Sequence, residues 1–393
     1  MKKYLILNTG SVSAKYAIYS ENSELFFGHF EIEEGKAVVA FYLNGDKKNK
    51  EVQNISEETF KNSLDYFIKE AIKKNIIKDK SDILSIGIRI VCPGVFFQSD
   101  RIVNDEFVSK ITEKMDDNLR HVPATLREIS EVKKIFSNTP IVGISDTAFH
   151  KDVPDFAKYY AIPKKVAADL DIYHFGYHGI SIGSIVDKVS CQNKLSCKTI
   201  ICHLGGGSSV VAVKDGKSFD TSMGYTPLQG LVMSTRSGDI DPTAVLSLGQ
   251  KLNKTPTELK NYFNKECGLL GISGKSSDVR DLIELEKQGD EDAKLALEKL
   301  AMSVKKYIGS YIAEMGGLNT LIFSGTIGER SFIMRERICD GLETFGIKLN
   351  KKINNKTVAV DGKISKIFSP VKVYVVCTDE IKDMAAKLVK FSV

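Results

Sequence analysis

Charged and polar residues gather just past apolar segments of this chain. Arg89 sits near the end of "ILSIGIRIV", Asp146 follows "PIVGIS", His203 ends "TIICH" and Glu380 follows "VYVVCTD". In open α/β sheets, ligands bind outside the carboxyl ends of the strands. Taken singly, each residue has an ordinary reading. An arginine there is usually an ion-paired surface group, and an aspartate after a strand is usually a cap or turn former. Their shared position points to a site. The stretch "FDTSMGYTPLQGLVMSTRSGDIDP", Phe219 to Pro242, is rich in Gly, Ser and Thr and carries one arginine, Arg236. Asp220 lies near its start, and Asp239 and Asp241 near its end. A loop this long is uncommon without a function. Arg236 precedes a helix start at Asp241–Pro242, so a place beside that helix's positive end would aim it at an anion.

Two Gly/Ser turns accompany these groups. "KKYLILNTGSVSAKYAIYS" runs strand, turn, strand, and "IICHLGGGSSVVAVKDGKSFDTS" repeats the plan about half a chain later. Hairpins need turns, and Gly and Ser suit them. The pair also suggests an internal duplication whose two turns clamp phosphate through backbone N–H groups.

The elements that must position these residues alternate between strand and helix. Strands are predicted at Ile83 to Val91, Ile141 to Ile144, Lys198 to Leu204, Leu321 to Phe323 and Val371 to Cys377. Phe60, Leu64, Phe67, Ile68, Ala71 and Ile72 recur at helical spacing, behind a capping-box-like start at Asn54 and Glu57. A long helix near Asp292 to Met315 stops at Gly316 and Gly317. "KLNKKINNK", Lys348 to Lys356, reads as a polar surface loop. The pattern is that of an α/β protein.

The 393 residues favour two domains, and 42% hydrophobic with 27% charged residues fits a globular chain. The net charge of +5 forms no basic tail, so a nucleic-acid partner is not indicated, while anionic small substrates suit it. Seven cysteines without a CxxC pair predict reduced thiols. No signal peptide or membrane-length apolar run is present, so a cytoplasmic protein is expected.

At this point a resemblance becomes specific. "NTGSVSAKY", "SDTAFH", "FGYHGIS", the block Cys202 to Pro242, "GLLGISGKSSDVRD", "IGER" and "TDE" follow one another from Asn8 to Glu380. In this order they resemble the acetate kinases, of the superfamily that also holds sugar kinases, heat-shock chaperones and actin. The resemblance implies a duplicated actin-like, ribonuclease H-like ATPase fold with two domains around a cleft: 1–147 plus 381–393, and 148–380. It implies phosphoryl transfer from ATP to acetate, giving acetyl phosphate and ADP, with Mg²⁺ or Mn²⁺, in a homodimer. Asn8 and Glu380 match metal-holding residues. Ser11, Ser13 and Lys15 match the first phosphate turn, and His203, Leu204, Gly205, Gly206 and Gly207 the second. Asp146, Arg89, Arg236, His178 and His121 match catalytic residues. Asp278, Val279 and Arg280, with Gly325, Thr326, Ile327, Gly328, Glu329 and Arg330, match segments around the adenosine. Arg89, Val91, Arg120, Tyr177 and Pro227 match the substrate pocket.

A carboxylate is already an anion near pH 7, so it needs no general base to attack phosphorus. It needs help approaching an anionic phosphate, which guanidinium groups and a metal supply. Asp146 therefore reads as a group that orients Arg89 or a metal-bound water. The chain departs from the family pattern in places. It has "IRIVCPG" for "HRVVHGG", and "RHVPAT" for "LHNPAN", which puts Arg120 in place of a pocket leucine. Tyr177 replaces phenylalanine, Gly206 asparagine, Thr326 glycine and Arg330 asparagine. Alternatives kept open are another short or hydroxy acid, pyrophosphate as donor, and a nucleotide-binding relative without turnover.

Overall fold

The computed structural model describes residues 2–10, 13–21, 23–33, 35–46, 48–115, 122–192 and 196–392. The chain divides into two compact units, Met1–Ala148 with Asp379–Val393, and Phe149–Thr378.

The first unit contains β1 (Lys3–Thr9), β2 (Ser13–Ser20), β3 (Ser23–Glu33), β4 (Lys36–Leu43), β5 (Lys50–Asn54), β6 (Ile83–Ile90), β7 (Arg101–Ile102) and β8 (Ile141–Ser145). They form one sheet in the order β5-β4-β3-β2-β1-β6-β8-β7. The second unit contains β9 (Lys198–Leu204), β10 (Ser208–Lys214), β11 (Lys217–Thr221), β12 (Thr320–Ser324), β13 (Gly362–Lys363) and β14 (Lys372–Val375), in the order β11-β10-β9-β12-β14-β13. Five consecutive strands of each sheet share one plan. β3-β2-β1 and β11-β10-β9 are antiparallel meanders. β6 and β8, like β12 and β14, then add in parallel. The duplication suggested by the two Gly/Ser turns is thus present in topology.

Parallel central strands covered on both faces demand near-continuous apolar runs. "TLIFS" of β12 is buried throughout. The long helix Glu291–Met315 covers its sheet with Ala293, Leu297, Leu300, Val304, Ile308 and Met315. Asp290 caps it by accepting the Ala293 N–H, and Gly316 ends it at φ 66°. In the first unit, the helix Ser63–Lys73 buries Leu64, Phe67, Ile68 and Ala71. Phe67 stacks on Phe26 of β3, with ring centroids 4.9 Å apart. The helix Glu380–Phe391 buries Ile381, Met384, Ala385 and Leu388, so the chain's end belongs to the first unit and brings Glu380 with it. All seven cysteines are free thiols.

Three local expectations change. The helical cap is Ser56, whose side chain accepts the Thr59 N–H, because Asn54 is held in the ladder opposite Val38. The helix also breaks at Asn62 into Glu57–Lys61 and Ser63–Lys73. The last strand is shorter than expected, ending at Val375. "KLNKKINNK" is no surface loop: Asn350 caps a helix, Lys351–Lys356, and Asn354 is wholly buried. The reason is Arg335, itself wholly buried. Its Nε donates to Asn354 Oδ1 at 2.8 Å, and its two terminal nitrogens to the carbonyls of Gly328, Glu329, Asn354 and Thr357 at 2.6–3.0 Å. All five guanidinium donors are satisfied, which makes burial tolerable. Arg335→Met should lower stability by about 3 kcal/mol, since it strands buried acceptors. Chemical denaturation of both proteins measures this; an unchanged midpoint would contradict it.

Candidate active site

The first unit gathers four expected residues that are far apart in sequence. Arg89 lies one residue before the end of β6, and Asp146 directly follows β8. These strands are parallel neighbours, so both residues emerge at one sheet edge. Arg89 Nη2 donates to Asp146 Oδ2 at 3.0 Å. Its Nη1 donates to Glu380 Oε2 at 3.3 Å and reaches Asn8 Oδ1 at 3.4 Å. Asn8 Nδ2 donates to the same Glu380 oxygen at 3.0 Å. Asp146 is 1% exposed. Burial alone would pull the Arg89 guanidinium down, but Asp146 and then Glu380 outweigh it and raise its pKa. Arg89 is thus a fixed, permanent cation with its fork held flat between two carboxylates.

The second unit forms its own cluster around the turn between β9 and β10. Gly205 N–H donates to Gly207 O at 3.1 Å and to Ser208 Oγ at 3.2 Å, which makes the turn tight. A Cβ on Gly207 would lie 3.2 Å from Arg236 Nη1 and 3.4 Å from His178 Nε2. Bare backbone therefore lets the guanidinium and imidazole approach this turn without crowding. Thr326 N lies 3.9 Å from where a Cβ on Gly205 would stand. His178 precedes the helix Gly179–Cys191 in a left-handed conformation, φ 60°. That is uncommon for a residue with a side chain, and histidine is among the types that adopt it more readily. Its Nδ1 bonds Ser209 Oγ at 3.0 Å, His203 Nδ1 bonds Ser181 Oγ at 2.9 Å, and the two rings lie 4.4 Å apart. Each serine fixes a ring orientation.

Arg236 lies in the irregular chain between β11 and the helix Pro242–Lys251. Its guanidinium is placed by Pro227 O, 3.2 Å from Nη1, and by the Gly207 turn. The helix start is closed by Asp241, which accepts the Thr243 and Ala244 N–H groups. The loop is rigid because its backbone is bonded on both sides. Leu269 N–H donates to Met233 O, Leu270 N–H to Ser234 O, and Cys267 N–H to Thr235 O. Asp239 accepts the Gly230 N–H at 3.0 Å and the Tyr307 hydroxyl at 2.6 Å. Asp220 faces Glu314 of the long helix. Its carboxyl is pushed up to about 7, chiefly by burial, against the Thr221 N–H bond and with Glu314 adding to the rise. Asp239 thus holds the loop at Gly230 against the long helix. Gly268, at φ 64°, is missing from the sequence-based site, although it opens the "GLLGISGKSSDVRD" match. A Cβ there would meet Arg236 N at 2.8 Å and Met233 O at 2.1 Å. Gly268→Ala should lower turnover at least about tenfold by displacing Arg236, a residue it does not replace. Steady-state kinetics with a folded variant checks it; unaltered turnover would contradict it.

The remaining expected residues are distributed as follows. Lys15 pairs with Asn8 across the first hairpin, which Gly10 N–H and Ser13 O close at 2.7 Å. Leu204, Val279 and Gly328 are buried, so only their backbone can face a ligand. Asp278 caps its helix through the Arg280 N–H and pairs with the Arg280 guanidinium at 2.6 Å. Glu329 Oε1 accepts the Gly325 N–H at 3.1 Å and the Thr378 N–H at 3.3 Å, closing the start of the helix Gly325–Arg330, which also carries Ile327. Thr326 and Arg330 are exposed on it. Tyr177 is buried, with its hydroxyl on Tyr225 O at 2.7 Å. Val91 and Pro227 are half-buried. Ser11, Arg120 and His121 lie outside the described residues.

Comparison with known proteins shows which family the chain resembles. The family model described as the Acetokinase family matches residues 3–386. The acetate kinase of Thermoanaerobacterium thermosaccharolyticum is 41% identical over 386 residues, covering 96% of each chain. A crystal structure of a propionate kinase from Francisella tularensis superposes with TM-score 0.89 at 33% identity, over 99% of this chain and all of that one. The crystal structure of Porphyromonas gingivalis acetate kinase gives TM-score 0.86 at 31% identity, over 99% of both.

Proposed function

The chain belongs to the acetokinase family, and from that premise we propose that it phosphorylates acetate with ATP, reversibly, giving acetyl phosphate and ADP. A carboxylate oxygen forms a bond to the terminal phosphorus while the bond from that phosphorus to the bridging oxygen of ADP breaks. No proton has to be removed from the attacking acid. The observation that carries this reading is Arg89, a guanidinium locked between Asp146 and Glu380 and unable to lose its charge. A chain that bound nucleotide without turnover has no use for a rigid cation so prepared. Arg89 meets the acid's carboxylate, and Arg236 and His178 meet the equatorial oxygens as charge spreads over them. Tyr177 and Pro227 of the second unit give the acid an apolar wall. The two Gly/Ser turns take ATP phosphates through backbone N–H groups, and Gly325 to Arg330 with Asp278 to Arg280 take the nucleoside.

The residues present fit a magnesium ion. Asn8 Oδ1 and Glu380 Oε2, which lie 3.4 and 3.3 Å from the same Arg89 Nη1, are hard oxygen atoms that would hold it. Among the described residues no cluster of three or more His, Cys, Asp or Glu forms a complete protein cage. That suits a cation held by one or two side chains together with substrate phosphates. Bound there, the ion would neutralise phosphate charge. The acid's identity and the donor are tested together by trapping acyl phosphate as hydroxamate, with acetate, propionate, lactate and succinate against ATP and pyrophosphate. Acetate with ATP should give the largest kcat/KM; hydroxamate formed only with another pair would overturn the assignment. We further propose a homodimer acting in the cytoplasm. Exposed Leu246, Leu295, Met302, Ile367 and Phe368 of the second unit offer apolar surface for association. Light scattering on the eluted protein reads its mass directly. Among the described residues no helix is long and apolar enough to cross a membrane.

A further inference from the structure

The helix Val122–Ile135 turns Val122, Thr125, Ile129 and Val132 inward, and Glu128 lies on the same face. A carboxyl is out of place in that stripe. Glu128 is 8% exposed. Its Oε2 accepts the Thr9 hydroxyl at 2.7 Å. Its Oε1 is buried and meets no hydrogen-bond partner among the described residues. Among the described residues, the titratable groups facing it are Glu131 on its own helix and Tyr16 on β2. Neither brings a positive charge. Tyr16 is itself held by Ser63 at 2.9 Å, and its hydroxyl is raised by burial first and by Glu128 second.

Thr9 is the last residue of β1, between Asn8 and Gly10. The β1–β2 ladder ends at the Thr9–Ala14 pair, and the Gly10 N–H then closes the turn on Ser13 O at 2.7 Å. The Thr9 side chain is therefore the final anchor before the first Gly/Ser turn, and Glu128 is what it holds. We propose that Glu128 is a positioning residue for this turn: its carboxyl fixes Thr9, and so sets the backbone leading from Asn8 into Gly10, where the chain enters a turn that receives a phosphate of ATP. This rests on the reading of the turn as a phosphate site.

The neutral form is the one this environment favours. Burial pushes the Glu128 carboxyl up to about 8; the Thr9 bond opposes that rise and the Glu131 charge adds to it. An ionised carboxylate here would be a buried charge without a partner cation among the described residues. It would also set a negative charge against the residue next to a turn that must admit an anion. With the carboxyl raised in this way, the acid stays neutral around pH 7, and the turn meets a fixed anion only as pH climbs.

The test is the KM for ATP from pH 6.5 to 9.5 in wild type, Glu128→Gln, Thr9→Val and Ser13→Ala. Gln keeps the shape and an acceptor for Thr9 but has no ionisation. Wild-type KM should rise about fivefold more than that of Glu128→Gln across pH 8. Thr9→Val severs the contact from the other side, and should raise KM at pH 7 and blunt the rise. Equal profiles in wild type and Glu128→Gln overturn the proposal when Ser13→Ala still raises KM, because the turn then binds phosphate without help from Glu128. If Ser13→Ala leaves KM unaltered, the phosphate reading of the turn fails and this proposal falls with it. Stability gives a readout independent of activity. A carboxyl raised in the folded state contributes fully below its unfolded value, near 4.3, and that contribution is lost as pH climbs toward the folded one. The urea midpoint of Glu128→Gln should accordingly gain on that of wild type from pH 5 to pH 8. A constant difference would overturn the neutral-acid assignment.

Discussion

Arg236→Ala is expected to lower kcat about a thousandfold, by analogy with other arginines at phosphoryl transfer, with a much smaller change in the KM for ATP. The Arg236 guanidinium lies against the bare backbone of Gly207 and next to the His178 ring. A cation so placed interacts with phosphate oxygens in the ground state, but more strongly when charge shifts onto them at the transition state. Loss of that difference appears in kcat. Arg236→Lys should recover only part of it, because an ammonium keeps the charge without the planar fork. The loop should survive either change, since its backbone bonds to Cys267, Leu269 and Leu270 do not involve the side chain. Unchanged turnover in a folded Arg236→Ala protein would remove Arg236 from the proposed mechanism.

The second large effect is at Asp146. Asp146→Asn should lower turnover about a hundredfold or more, while calorimetric titration with an ATP analogue shows nearly unaltered affinity. Asp146 Oδ2 and Glu380 Oε2 hold the two ends of the Arg89 fork. An amide of the same shape removes one of the two negative charges and offers hydrogens where the guanidinium needs an acceptor. Arg89 then swings toward Glu380. The proposed role is orientation, so the pH–rate profile of wild type should show no limb that the mutation abolishes. A limb present in wild type and absent in Asp146→Asn would assign Asp146 as a general base instead.

Much of the candidate site is legible in the sequence, because its signals are local. Strand ends, a Gly/Ser turn and an Asp–Pro helix start are set by residues within a few positions of each other. Arg89 and Asp146 are found as residues at strand ends, and the structure puts those strands side by side. Glu128 could have been noticed as an acid within the stripe of Thr125, Ile129 and Val132, but the spacing alone does not say what it meets. Asn354 gave no signal at all. In a run of Lys and Asn, one amide points inward only because Arg335 needs its oxygen.

By itself, the sequence determined the α/β class, the two strand–turn–strand repeats, the Asp241 cap, the Gly316 stop and the order of motifs that marks the family. Each of these follows from propensity, capping or backbone freedom over short spans, where the chain has few alternatives. The tertiary structure decided which charges meet. Asn8 and Glu380 are 372 residues apart and share a hydrogen bond of 3.0 Å. Thr9 finds Glu128 across 119 residues. It also decided that Asp239 ties down the loop that carries Arg236, and that Gly268 is the space Arg236 needs. Long-range pairing depends on how whole sheets and helices pack, and a charge acquires its partner, its burial and its pKa only when that packing is complete.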